Sequence, residues 1–267
     1  MQKYSIKDLE IGLRKVGLRR GQIVYINPEI YKLGVLKEAK NKRDYFKIFF
    51  DTIHKIIGKS GTIVVNSYTF QTLRYNKKFI HESTSCTSGA FSEYVRKKNG
   101  SIRSLHPVFS VTAYGKFKNK ICKNNSLNNY GHGSPYSNFL KLKGMMLNLG
   151  IDYAANPFSH VAEFEAGVPY CYNKFTKVRY FKNRKKIQKT FSTFVTYSNL
   201  GLKNDYSKLK KKLSSKKIIR SIKLGSGNIH FYSVLKYYNL LVNELKKDQF
   251  FLLKKPPRFK KGKLPFA

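Results

Sequence analysis

A chain of 267 residues, 41% of them hydrophobic and evenly spread, has the length to bury a sizeable core, and it reads as one domain over 1–253 followed by a basic, proline-containing tail at 254–267. Lys and Arg number 53 against 14 Asp and Glu; a formal charge of +39 makes cationic partners unwelcome and leaves nucleic acid, anionic membrane surfaces and phosphorylated small molecules open. The abundant Lys, Asn, Ile, Phe and Tyr all have AT-rich codons, so a merely solvated basic surface is the plain alternative.

The amino terminus carries Asp8 and Glu10 and lacks an apolar core segment with a small-residue cleavage site, so it does not read as a signal peptide. Ser5 to Val16 places Ile6, Leu9, Leu13 and Val16 at helical spacing, with Ser5 and Asp8 as an N-terminal capping pair and Gly17 at the close. Gln22 to Ile26 is a short β-rich run ended by Asn27-Pro28, Tyr45 to Ile57 is helical up to Gly58, and Thr62 to Val65 is a buried strand. Strand, helix, strand at these lengths is the βαβ unit, which predicts an α/β fold with a central, mostly parallel sheet flanked by helices.

Ser67 to Thr87 shows no period of either kind and is long for a connection. Ser88 to Lys98 is a helix, and Ser101 to Gly115 holds two β-rich pieces around His106-Pro107, where the proline keeps His106 extended in a fixed bend. An ordinary turn histidine fits that position as well. Lys116 to Tyr130 reads as a loop, and Gly131-His132-Gly133-Ser134-Pro135 is a turn into a Ser137–Leu142 helix. The turn can offer backbone amides to phosphate, but it is neither GxGxxG nor a Walker A sequence.

Gly144 to Glu163 carries the clearest chemistry. Met145 to Leu149 is too short for a membrane span and ends at Gly150, so it reads as a buried strand. Asn156 is placed to cap a helix with Pro157 in its first turn, and on that helix His160 and Glu163 share a face. A histidine near a strand's end with a carboxylate to hold its ring is what a general base requires. His-x-x-Glu by itself fits a satisfied histidine at a helix start equally well. Cys86, Cys122 and Cys171 are far apart and odd in number, which suggests no disulfide framework, no metal site and a reducing, cytoplasmic setting. Nothing reaches transmembrane length.

GAFSEYVRKKNGSIRSLHPVFSVTAYG followed by GHGSPYSNFLKLKGMMLNLGIDYAANPFSHVAE resembles the aminoglycoside N3-acetyltransferase family, an acetyl-CoA-dependent group unrelated to the GNAT acetyltransferases. Its members join an SEY helix, an R-S-x-H-P-x-x-S strand, a G-S-P turn, a strand ending in glycine and an N-T-x-x-H-x-x-E helix in this order. The opening helix and strand and the closing α/β segment are compatible, so the resemblance covers nearly the whole chain. It implies direct acyl transfer in a ternary complex, without a covalent enzyme intermediate and without a metal. His160 would take a proton from the acceptor amine, and Glu163 would orient the imidazole. Ser104, His106 and Ser110, with Gly133 and Ser134 of the turn, are the candidates for the coenzyme side. Two departures stand out: Tyr25-Ile26-Asn27-Pro28-Glu29 replaces the family's His-Ser-Ser-Leu turn, and Pro157 replaces its threonine.

Between Ala166 and Ala267 the only acidic residues are Asp205, Glu244 and Asp248, amid the basic runs 182–189 and 208–217. Sites that hold a polycationic antibiotic need several carboxylates. The sequence therefore favours an anionic, nucleotide- or lipid-linked amino sugar as acceptor. A true aminoglycoside 3-N-acetyltransferase conferring resistance is the alternative, with Asp152, Glu163 and Glu165 as its acidic pocket. A basic nucleic-acid-binding module is the reading from another class, but no groove-reading motif or regular aromatic spacing supports it. The 208–217 run, with Leu209 and Leu213 four apart, reads as a solvated helix face.

Overall fold

The computed structural model describes residues 2–259. Its centre is a seven-stranded sheet of β1 (Ile23–Pro28), β2 (Thr62–Asn66), β3 (Ile102–Arg103), β4 (Val111–Gly115), β5 (Met145–Leu149), β6 (Arg220–Leu224) and β7 (Gly227–Ser233), ordered β6-β7-β5-β1-β2-β4-β3. Parallel pairing is confined to the middle: β1 runs parallel to β2, with Ile23 opposite Thr62, and to β5, with Val24 opposite Met145. The outer pairs are antiparallel, so the α/β sheet is mixed. Connection length explains the two edge pairs. Two residues, Gly225 and Ser226, join β6 to β7, and seven join β3 to β4, both far below the dozen or so that a parallel crossover needs.

Alternation along the inner strands divides the interior into two cores. Ile23 and Tyr25 of β1 face a layer containing Tyr136, Phe139, Phe158 and Tyr237, while Val24 and Ile26 face Leu9, Leu13, Phe49, Phe50 and Ile53. Strands buried on both faces read as continuous apolar runs, which is why they were legible. The first helix spans Ile6–Lys15 with the expected Ser5–Asp8 capping box. The second begins earlier than its apolar pattern, at Lys42, because the Asn41 side chain accepts from the Arg43 and Asp44 amides.

The nominal loops hold structure. Ser67–Thr87 contains the Phe70–Arg74 helix and the strand Phe79–Ile80, which pairs with Tyr180–Lys182. Lys116–Tyr130 contains the Lys118–Cys122 helix, which buries Ile121 and Cys122. In the 208–217 run the Ser207–Ser215 helix buries Leu209 and Leu213 and leaves its lysines on the outer face. Residues 260–267 of the basic tail lie outside the described residues. Among the described residues no helix is long and apolar enough to cross a membrane, and no three His, Cys, Asp or Glu side chains gather into a metal-holding group.

Candidate active site

The site is built at the carboxyl end of β5. Gly150 ends the strand at φ +72, and a Cβ there would meet the Glu29 carbonyl oxygen at 2.5 Å, so the chain can turn this closely only with glycine. The Pro157–Ala166 helix follows. Asn156 caps it, its Oδ1 accepting from the Phe158 amide at 2.9 Å and its Nδ2 donating to the Tyr232 hydroxyl at 3.1 Å. Phe158 locks the first turn into an aromatic cluster with Tyr25, Tyr136 and Phe139, at centroid distances of 5.3, 5.7 and 5.4 Å. One turn later the same helix presents His160 and Glu163.

The two side chains meet as their spacing predicts. His160 Nδ1 lies 2.6 Å from Glu163 Oε2, and the Tyr170 hydroxyl donates to Glu163 Oε1 at 2.8 Å, so both carboxylate oxygens are engaged. Glu163 is buried, whereas the His160 side chain is 44% exposed. The Tyr130 ring stacks on the imidazole at 5.9 Å and 26°. Because Glu163 holds Nδ1, the proton sits there and Nε2 keeps its lone pair; Nε2 has no protein partner among the described residues. Partial loss of water around the ring lowers its affinity for a proton, but the charge of Glu163 and its hydrogen bond outweigh that, and the His160 pKa stands above its ordinary value of 6.5.

Sequence reasoning missed Tyr170 and Tyr130. Tyr170 lies seven residues after Glu163, beyond the left-handed Gly167 that closes the helix, and no periodicity links it to the carboxylate. Tyr130 is set by Asn128, whose Oδ1 accepts from the Tyr130 and Gly131 amides at 2.9 and 2.7 Å while its Nδ2 donates to Ser192 Oγ and Asn173 Oδ1. The xNNYG pattern held a turn signal, but not its target.

The coenzyme-side candidates occupy a different setting. Ser104 Oγ accepts from the Val111 amide at 2.9 Å. Ser110 Oγ donates to the Ser67 carbonyl at 2.6 Å and accepts from Arg103 Nε at 2.9 Å. His106 Nδ1 accepts from the Val108 and Phe109 amides at 3.2 and 3.1 Å, and its Nε2 faces the Ser192 carbonyl at 3.3 Å. All three residues are buried, and burial draws His106 down to about 4. Their polar atoms hold the corner between β3 and β4 together. Ser134 is likewise buried and caps the Pro135–Lys141 helix through the Ser137 amide. In the glycine turn the Gly131 and Ser134 amides are taken by Asn128 Oδ1 and the Gly131 carbonyl, which leaves those of His132 and Gly133 without a protein partner among the described residues.

The sequence profile of the aminoglycoside 3-N-acetyltransferases matches residues 36–246. The chain belongs to that family. It is therefore an acetyl-CoA-dependent N-acetyltransferase. Its fold is similar to that of the AAC-IIIb binary complex with CoASH, at TM-score 0.79 and 18% identity over 96% of this chain and 100% of the other. It is also similar to YokD from Bacillus subtilis, at 0.75 and 19% over 92% and 100%, and to sisomicin-bound AAC-VIa, at 0.77 and 18% over 92% and 98%. At such identities the likeness establishes the fold.

Proposed function

We propose that the enzyme transfers the acetyl group of acetyl-CoA to the amine of an anionic amino sugar, nucleotide- or lipid-linked, with His160 as general base and Glu163 as its orienting carboxylate. The observation that carries the chemistry is the unpartnered Nε2 of a partly exposed histidine whose Nδ1 is fixed. The amine nitrogen attacks the thioester carbonyl as its proton passes to His160 Nε2; the C–N bond forms, the C–S bond breaks, and the imidazolium returns the proton to the departing thiolate. Glu163 holds the ring in the required tautomer and balances the transient charge. The His132 and Gly133 amides are the donors still free for a coenzyme oxygen, and Ser134 fixes the turn that carries them by capping the next helix, while Ser104, His106 and Ser110 hold the β3–β4 corner.

The acceptor class rests on where the negative charge lies. All 14 acidic residues fall within the described part of the chain. Asp152, beside the site, is paired with Lys210 at 2.5 Å; Glu244 and Asp248 pair with Lys212 and Lys208, and Asp205 accepts from the Ser207 amide. Of the carboxylates on the helix that carries His160, Glu163 is bound to His160 and Tyr170, which leaves the exposed Glu165 to meet a polycation. An acceptor carrying phosphate gains attraction from the surrounding lysines instead.

Thiol release from acetyl-CoA, measured with a uridine-diphosphate amino sugar bearing a free amine and with kanamycin- and gentamicin-type compounds, decides the acceptor. The expected result is a higher kcat/KM for the anionic sugar. Efficient acetylation of a deoxystreptamine antibiotic at its 3-amine, beside no turnover of anionic sugars, overturns the acceptor assignment in favour of a resistance enzyme.

A further inference from the structure

The basic run 182–189 lies in a small lobe that the acyl-transfer chemistry does not use. The strands Cys171–Lys177 and Thr190–Thr196 pair as an antiparallel ribbon, and between them Tyr180–Lys182 pairs with Lys185–Ile187 and with Phe79–Ile80. From 171 to 190 the chain carries eight Lys or Arg and no acidic residue, and Arg74, Lys77 and Lys78 join them from the turn before Phe79. Charge alone says little in a chain this basic; how it is partnered says more. In the other basic run Lys208, Lys210 and Lys212 each pair with a carboxylate, Asp248, Asp152 and Glu244. Among the described residues none of the lobe's cations forms an ion pair.

Two rings give the lobe a second property. Along Cys171–Lys177, Tyr172, Lys174 and Thr176 are half-buried while Asn173, Phe175 and Lys177 face solvent, the alternation of a strand covered on one side. Phe175 is 70% exposed and Tyr75 67%, the two most exposed large apolar side chains among the described residues. They share a neighbourhood: Arg179, two residues beyond Lys177, donates through Nη2 to the Asn76 carbonyl at 2.7 Å, next to Tyr75. Rings left in water beside unpaired ammonium groups fit an interface that is apolar below and anionic above. An anionic bilayer is such an interface, with aromatic rings at the headgroup level and lysine stems reaching up to the phosphates. Single-stranded nucleic acid also takes cations and rings, but it stacks bases on open ring faces, and the Lys77 ammonium lies over the Tyr75 ring, 6.0 Å from its centroid. Protein interfaces are depleted in the lysine that dominates here. We propose that this lobe docks on a membrane surface carrying anionic lipids, with Phe175 and Tyr75 entering the headgroup region and Lys77, Lys177, Arg179 and the 182–189 run meeting lipid phosphates. The lobe is joined to the site through Asn173, two residues and about 7 Å along the strand from Phe175. Its Oδ1 accepts from Asn128 Nδ2 at 3.1 Å, and Asn128 Oδ1 accepts from the amide of Tyr130, whose ring stacks on His160. Docking therefore favours the lipid-linked amino sugar among the anionic acceptors. That choice rests on the acyl-transfer reading; the docking does not.

The chain has no tryptophan, so Phe175→Trp places a lone reporter in the lobe. Flotation of the full chain with phosphatidylcholine vesicles, with and without phosphatidylglycerol, and the emission of that variant test the proposal together. The expected result is binding to the anionic vesicles only, weakened by added salt, with a blue shift of the emission. Lys77→Gln/Lys177→Gln is expected to weaken binding roughly 25-fold, about fivefold for each cation near the surface, and Phe175→Ser about tenfold. Lys7→Gln/Lys15→Gln removes the same charge from the first helix and is expected to weaken it by less than about twofold, since charges beyond a Debye length are screened. All these side chains are exposed, so melting temperatures stay level. Vesicle binding with unshifted emission, or equal weakening by the two lysine pairs, overturns the docking, as does tighter binding to single-stranded oligouridylate than to the anionic vesicles. Vesicle binding without acetylation of a lipid-linked amino sugar removes that acceptor and leaves the docking. Acetylation with no vesicle binding removes the docking and leaves the acetyl transfer.

Discussion

Two motif histidines of this enzyme sit in opposite circumstances. His160 is bound on one nitrogen, free on the other, and 44% exposed on its side chain; His106 is buried, with both nitrogens directed at the backbone. One ring is held above the ordinary histidine pKa by its carboxylate, while burial draws the other to about 4. The residue type and the motif are the same kind of signal in both places. What separates a group that can move a proton from one that closes a corner is whether a lone pair is left over.

The sharpest way to break this contrast is to remove each ring. His160→Ala is expected to lower kcat by about 10²–10⁴-fold, the usual worth of a general base, with affinity for acetyl-CoA little changed and the melting temperature near normal. His106→Ala is expected to do the reverse. It strands the Val108 and Phe109 amides in the interior, at a cost of about 1–3 kcal/mol for an unsatisfied buried group, or roughly 2–10 °C in Tm for a domain of this size. Steady-state thiol release and thermal unfolding of the two variants check the pair. A large kcat loss with an unchanged Tm for His106→Ala would move that residue into the chemistry.

A smaller effect tests the electrostatics of the dyad. In the proposed mechanism the base works as neutral imidazole, so kcat/KM is expected to fall as pH drops through the His160 pKa, which lies above 6.5. Glu163→Gln removes the charge that raises it and leaves the burial that lowers it. The acid limb of the pH–rate profile is therefore expected to move to lower pH, and the plateau to fall by less than in His160→Ala. A limb that stays in place would mean that Glu163 does not set the ring's protonation.

How much of this was readable beforehand follows from which contacts are local. The Ser5–Asp8 cap, the β5 strand, the Asn156 cap and the His160–Glu163 pair all join residues within a few positions, and spacing was enough for them. The direction of the outer strands was hidden, because apolar patterning does not record it; short loops do so only for the two edge hairpins, β6–β7 and β3–β4. Phe79–Ile80 was lost inside a nominal loop because its partner lies a hundred residues away at Tyr180. Ser104 and Ser110 were equally fit by their motif for a ligand or for the corner, and only their partners, the Val111 amide and the Ser67 carbonyl, show what they hold. Cys122, in the stretch that reads as a loop, is a core residue of a short helix, so Cys122→Ser is a packing change.

The gentlest probe is Tyr170, which touches the carboxylate but not the imidazole. Tyr170→Phe keeps the buried ring and removes one oxygen, leaving Glu163 Oε1 without a donor while the 2.6 Å contact of Oε2 with His160 remains. A carboxylate that loses a donor on one oxygen concentrates its acceptor strength on the other and gains freedom to rotate. The first effect raises the imidazole pKa further, and the second loosens the ring that must meet the amine. The expected outcome is a fall in kcat of about 3- to 30-fold, the lower part of the range in which outer-shell partners act. The acid limb should shift to higher pH, opposite in sign to the shift in Glu163→Gln. That opposition is the useful readout, since a merely structural tyrosine would lower Tm and leave the limb where it was. If both variants moved the limb in the same direction, Tyr170 would not be acting through Glu163, and the His160–Glu163–Tyr170 chain would have to be cut to its first two members.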